Sequence, residues 1–337
     1  MENRFRRILV RATNWVGDAV MSVPALQALR EYQPQARISI LARPWVAGLY
    51  GREAFCDELI PYEAPRGWRG LNEKWRLAAE LRARKFDCAV LLQNAFEAAA
   101  LVRWAGLPIR IGYDRDARGW LLTHPIPVPA AGEIPRHQRF YYLELLKRAK
   151  LIPGYELGPA IRLTARGTAG HVIGVSPGAA YGGAKRWLPE RFAEAAVSIA
   201  RERGAQVAVF GSQEEVTICE TVRALVAAAG VTCQNFAGVT PLAEFIEMAA
   251  GCELFLTNDS GAMHVASALG VPTVVVFGAT DDEATGPTGE WSRVVRHPVE
   301  CSPCLLRECP IDHRCMTGVG VSQVVEAAHG LVGIERK

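Results

Sequence analysis

An α/β chain with two parallel-sheet domains, each sheet covered by helices on both faces, is predicted by three observations. Short apolar runs recur along the whole chain, each followed by a helical stretch. A length of 337 residues is long for one core and comfortable for two. Midway, Pro153-Gly154 and Ala165-Arg166-Gly167-Thr168 break the pattern, which places the domains at 1–165 and 166–337.

The elements follow in order. Apolar runs predict strands near 7–11, 37–42, 57–60, 87–92 and 109–112, then near 171–176, 206–210, 253–257 and 272–277. The first is the basic strand Arg7-Ile8-Leu9-Val10-Arg11, with a helix expected from about Asp18 or Ala19. A helix over 190–203 places Phe192, Ala196, Ile199 and Ala200 on one face. Thr240-Pro241 opens another that ends near Gly251, because Thr caps and Pro fits the first turn. The helix that starts in the Asp259 segment continues through Val265 to Leu269, up to Gly270.

Three loops at strand ends carry the chemistry. Thr257-Asn258-Asp259-Ser260-Gly261-Ala262-Met263-His264 joins a buried strand to a helix start, where unpaired N–H groups and the helix dipole favour an anion such as a diphosphate. Ser176-Pro177-Gly178-Ala179-Ala180-Tyr181-Gly182-Gly183-Ala184-Lys185-Arg186-Trp187 follows another strand. Its three glycines permit close backbone approach to a ligand, and Lys185 adds a point charge for phosphate. A capping turn and a solvated Lys would explain either loop alone; their joint presence favours one ligand crevice. The third loop, Asn14-Trp15-Val16-Gly17-Asp18, leaves the first strand and ends on an acid, read either as a helix N-cap or as a general base. No Gly-x-Gly-x-x-Gly follows that strand, which argues against a dinucleotide-dependent oxidoreductase.

Taken in order, Asn14-Trp15-Val16-Gly17-Asp18, Pro177-Gly178 with Ala184-Lys185-Arg186-Trp187, and Thr257-Asn258-Asp259-Ser260-Gly261 with Met263-His264-Val265-Ala266 resemble the bacterial lipopolysaccharide heptosyltransferases, glycosyltransferase family 9, and most of all their heptosyltransferase II branch. Gly106-Leu107-Pro108-Ile109-Arg110-Ile111-Gly112-Tyr113 and Phe210-Gly211-Ser212 extend the resemblance from about Ile8 to about Phe277. It implies the GT-B arrangement of two Rossmann-like domains across a cleft. It also implies an inverting enzyme that moves heptose from ADP-heptose to a phosphorylated lipid A-core acceptor, with no cofactor required for catalysis. By resemblance Asp18 is the base, Lys185 and the amides around Ser260, Gly261 and Ala262 stabilise the leaving diphosphate, and Gly178, Asp259 and His264 line the donor site. Either Glu214 or Glu215 is expected at the ribose hydroxyls. Asn14, Trp15, Arg115 and Arg118 are expected to bind the acceptor. Two other readings share the scaffold: a relative with another donor sugar or acceptor, and a nucleotide-sugar epimerase or silent binding protein.

Composition narrows the classes. Hydrophobic residues at 50% and charged at 22% describe a globular protein, and a net charge of +3 is too small to argue for nucleic acid. Neither a signal peptide nor an uninterrupted membrane span is visible, so a cytoplasmic protein is expected. The run from Arg66 to Lys85 holds seven Lys or Arg against two acids, and Arg110, Arg115, Arg118, Arg136 and Arg139 follow. These charges suit an anionic acceptor and a weak peripheral contact with the inner membrane, or are solvated helix faces. Cys301, Cys304, Cys309 and Cys315 form a compact cluster with His313 nearby, either a structural metal site bracing the crevice rim or free thiols.

Overall fold

The computed structural model describes residues 5–63, 67–167 and 170–331. Residues 1–4, Arg66 of the basic run and Thr168 of the midway break lie outside the described residues. The chain divides into two compact units, Met1–Pro159 and Ala160–Lys337. The division falls before the expected 165/166 because Ile161 N–H donates to Thr288 Oγ1 and Leu163 N–H to the Ala268 carbonyl, which ties this stretch to the second unit.

In the first unit, six strands, β1 (Arg7–Arg11), β2 (Arg37–Ala42), β3 (Glu58–Pro61), β4 (Cys88–Leu91), β5 (Ile109–Tyr113) and β6 (His124–Ile126), pair in parallel in the order β3-β2-β1-β4-β5-β6. Its helices are α1 (Val16–Tyr32), α2 (Pro44–Tyr50), α3 (Gly67–Ala83), α4 (Phe96–Trp104) and α5 (Arg139–Arg148). The order reverses between β1 and β4. The strand carboxyl ends there are where an open parallel sheet takes its ligand.

The second unit repeats this topology. Strands β7 (Val172–Ser176), β8 (Gln206–Val209), β9 (Cys233–Asn235), β10 (Leu254–Asn258), β11 (Thr273–Phe277) and β12 (Ser292–Arg296) run β12-β11-β10-β7-β8-β9, again all parallel. Around them lie α6 (Pro189–Arg203), α7 (Val216–Ala228), α8 (Leu242–Ala250), α9 (Gly261–Ala268), α10 (Asp282–Thr285), α11 (Arg314–Thr317) and α12 (Val321–His329). Its switch point lies between β7 and β10. Both strands are almost wholly buried, as central strands of a parallel sheet must be. The α6 face of Phe192, Ala196, Ile199 and Ala200 packs into the core as the periodicity predicts, and Gly204 closes that helix in the left-handed region at φ 64°.

The sequence does not predict β6, β9 and β12. All three are edge strands, short or half-exposed, so they carry no continuous apolar run. Two helix starts also differ. α1 begins at Val16 with Trp15 as N-cap, so Asp18 lies inside the first turn and is not the cap. α8 begins at Leu242, and Thr240 Oγ1 donates to the Phe236 carbonyl instead of capping. Among the described residues no helix is long and apolar enough to cross a membrane.

Candidate active site

Neighbouring strands β7 and β10 bring the glycine-rich loop and the Asp259 loop together. Asn258, fully buried at the end of β10, ties them: its Oδ1 accepts the Trp187 backbone N–H at 2.9 Å, and its Nδ2 donates to the Pro177 carbonyl at 2.8 Å. Trp187 is itself buried, donating Nε1–H to the Val319 carbonyl at 3.1 Å and packing edge-on against Phe192. Anchored this way, the preceding Lys185 extends its ammonium to Asp259 Oδ2 at 2.5 Å, and Thr280 Oγ1 donates to the same oxygen at 2.6 Å. The Asp259 side chain is 4% exposed and that of Lys185 12%. A buried carboxylate thus holds one cation at the strand mouth.

Beside this pair α9 begins. Ser260 is its N-cap without a side-chain capping bond; its hydroxyl lies 3.2 Å from Thr257 Oγ1 instead. The first amides of a helix have no partner within it, so Gly261 and Ala262 present donors and the positive end of the dipole. His264 is buried in the same helix.

The glycines act differently from the expectation. A Cβ at Gly182 would stand 2.2 Å from the Arg307 carbonyl oxygen, one at Gly183 2.4 Å from a Glu308 carboxylate oxygen, and one at Gly178 2.2 Å from the Glu215 carboxyl carbon. The close approach they permit is to the protein itself. Over Gly182 and Gly183 lies the Cys-rich segment, fastened by Ala184 N–H to the Arg307 carbonyl, Gly183 N–H to Glu308, Tyr181 OH to the Leu305 carbonyl and His313 at the Ala184 carbonyl. This strap braces the loop that carries Lys185. Its four thiols are free; burial first, then the neighbouring Cys301, Cys304 and Cys309, push the Cys315 thiol up. Among the described residues no three His, Cys, Asp or Glu side chains are arranged to hold a metal ion.

The two glutamates separate by environment. Glu215 is buried beneath Gly178, and its Oε2 accepts the Ser212 N–H at 2.8 Å in a capping box, whereas Glu214 is exposed.

In the first unit Asp18 is half-buried in the first turn of α1, and the buried Tyr142 of α5 donates its OH to Asp18 Oδ1 at 3.3 Å. Burial first, and then the Asp18 charge, raise the Tyr142 phenol well above its ordinary value, so it stays a neutral donor. Asn14 is fixed from both sides, its Oδ1 accepting from Arg11 at 3.0 Å and its carbonyl from Trp45 Nε1–H at 2.7 Å. Trp15 is half exposed.

Arg118, expected to bind the acceptor, does not reach the surface. It is fully buried, donating to the Tyr113 and Gln93 carbonyls and to Asn94 Oδ1, so it shapes the loops after β4 and β5 from behind. Arg110 and Arg139 likewise staple backbone carbonyls, while Arg115 is exposed beside Asp116. Sequence reading missed Tyr142, Thr280 and the tether made by Asn258. Thr280 alone had a signal, its place just past the expected strand 272–277.

Comparison with known proteins identifies the family. The model of glycosyltransferase family 9 (heptosyltransferase) matches residues 74–314, a range that includes Lys185 and Asp259 but not Asp18. Lipopolysaccharide heptosyltransferase 2 of Salmonella typhimurium is 32% identical over 306 residues, 86% of this chain and 88% of that protein. The structure of E. coli ADP-heptose lps heptosyltransferase II superposes with a TM-score of 0.79 at 29% identity, covering 96% of this chain and 98% of that one. A glycosyl transferase family 9 structure from Veillonella parvula has a TM-score of 0.82 at 21% identity, covering 98% of each chain, which shows the fold alone. With the family model spanning most of its length and a relative of this identity aligned over most of both proteins, the chain belongs to glycosyltransferase family 9, the heptosyltransferases.

Proposed function

We propose that this glycosyltransferase moves heptose from ADP-heptose to the heptose-bearing inner core of lipopolysaccharide, with inversion. The observation that carries the reading is the Lys185 ammonium held beside the first amides of α9 at the second sheet's switch point, in a chain of this family. An acceptor hydroxyl attacks the anomeric carbon while the bond to the diphosphate breaks. Asp18 takes the hydroxyl proton, and ADP leaves with the bonding electrons. Lys185 and the amides of Gly261 and Ala262 meet the charge growing on the diphosphate, a task a metal ion performs elsewhere. Asp259 orients Lys185, Gly178 lines the donor site over Glu215, and one of Glu214 and Glu215 takes the ribose hydroxyls. His264, buried in α9, belongs to the donor side.

The acceptor enters on Asn14, Trp15 and Arg115. The protein works at the cytoplasmic face of the inner membrane through exposed aromatics on and beside α3 and α4: Trp75, stacked on Trp104 at 5.2 Å, Phe96, and Trp120 under the Arg103 guanidinium. Tryptophan beside basic side chains suits an anionic headgroup layer.

ADP release from ADP-heptose, with and without a mono-heptosylated core acceptor, tests the reading. Acceptor-dependent release supports it. Tight ADP binding with no release on any core acceptor would move the search to another donor, another acceptor or an epimerase. A chelator is expected to leave kcat unchanged, and an ion held by the strap thiols would show only as a lowered Tm.

A further inference from the structure

Two guanidinium groups meet on one ring at the carboxyl edge of the first sheet. Arg11, at the end of β1, lies 4.9 Å from the Tyr62 ring centroid, and Arg43, just past β2, lies 4.5 Å from it. Arg11 is fully buried and committed: its terminal nitrogens donate to Tyr62 OH at 2.7 Å, to Asn14 Oδ1 at 3.0 Å and to the Ala12 carbonyl. Arg43 is not. Among the described residues its side chain makes no hydrogen bond and no ion pair, its Nε is buried without an acceptor, and the guanidinium rests on the rings of Tyr62 and Trp45. A second cation held beside the first, partly desolvated and without an anion, is an unfavourable arrangement by itself. A bound anion removes the penalty.

We propose that Arg43, walled by Trp45 and Tyr62, is a subsite for the carboxylate of an acidic sugar in the acceptor. The inference rests on the transferase reading and deepens it. A planar fork matches a carboxylate, and flanking aromatic rings match the sugar ring that bears it; a bare phosphate has no use for them. Trp45 is 56% exposed and its indole N–H grips the Asn14 carbonyl, so the subsite opens beside the loop that leads into Asp18.

The test compares wild type with Arg43→Gln on a lipid-free, mono-heptosylated core oligosaccharide, on its carboxyl-reduced form and on its dephosphorylated form. The variant is expected to raise KM for the native and dephosphorylated acceptors by about tenfold, the scale of one charge-assisted hydrogen bond, with kcat, ADP affinity and Tm nearly kept. Wild type and variant should have the same KM on the carboxyl-reduced form. Arg43→Lys should recover part of the loss. An unchanged KM on the native acceptor, an equal defect on the carboxyl-reduced acceptor, or a defect that disappears on dephosphorylation would each overturn the assignment. Tryptophan fluorescence titration with the same oligosaccharides separates this inference from the transferase reading. Absence of turnover together with Arg43-dependent, carboxyl-dependent binding would sink transfer and keep the subsite, whereas binding that ignores Arg43 would sink the subsite.

Discussion

Lys185 Nζ lies 2.5 Å from Asp259 Oδ2, an ion pair between residues 74 apart in sequence that joins the loops after two neighbouring strands. Both members are needed for different reasons. Lys185 supplies charge, and Asp259 keeps that charge at the strand mouth. Removing Asp259 leaves a nearly buried ammonium unpaired, which costs about 3 kcal/mol. Asp259→Asn is therefore expected to lower Tm and to raise KM for the donor, and a double-mutant cycle with Lys185→Met should show strong coupling. Additive effects on Tm would refute the pairing. On activity, Lys185→Met should lower kcat by roughly 10²- to 10³-fold, the scale of losing one preorganised group that stabilises developing charge.

Asp18→Asn tests the base. The Asn side chain keeps an oxygen for the Tyr142 hydroxyl but takes no proton, so kcat should fall by about 10³-fold, within the range for general-base catalysis, while Tm and ADP affinity hold. A variant that keeps more than a tenth of wild-type kcat would remove Asp18 from the role.

Gly182→Ala probes the strap. Its Cβ would meet the Arg307 backbone carbonyl, which cannot rotate away as a side chain end can, so either the loop or the strap must shift. A loss of about 1–3 kcal/mol is expected, as for overpacking elsewhere. Trypsin should then cut after Arg307 sooner than in wild type. Cleavage at the wild-type rate would mean the strap does not depend on this contact.

Acid stability is expected to depend on Glu144. Burial by itself would raise this carboxyl, but hydrogen bonds from Tyr155 and Arg148 and the charge of Lys147 outweigh it and hold the value below the ordinary one. Stability from a depressed carboxyl is fully present above its unfolded value, about 4.3, and is lost as the pH falls through the folded value. Glu144→Gln should be less stable at neutral pH, with a flatter dependence of unfolding free energy on pH between roughly 5 and 3. Parallel curves for the two proteins would discard the network as a source of acid sensitivity.

The central strands and the three loops were legible in the chain itself. β1, β2, β4, β7, β10 and β11 are apolar runs because a parallel sheet buries both faces of its interior strands, and the loops announce themselves by Asn, Asp, Gly and Lys at strand ends. Tertiary structure decided what those residues touch. Gly182 and Gly183 read as room for a ligand, yet the space is filled by a strap more than a hundred residues later, a contact no local pattern encodes. Arg118 and Arg43 look alike as lone basic residues after strands. One is buried among carbonyl oxygens and the other stands on an aromatic ring without an anion, because burial and partners come from chain segments distant in sequence. Periodicity reports which face a residue buries, but only the packed sheet brings the ends of its strands together and so sets which charges are paired.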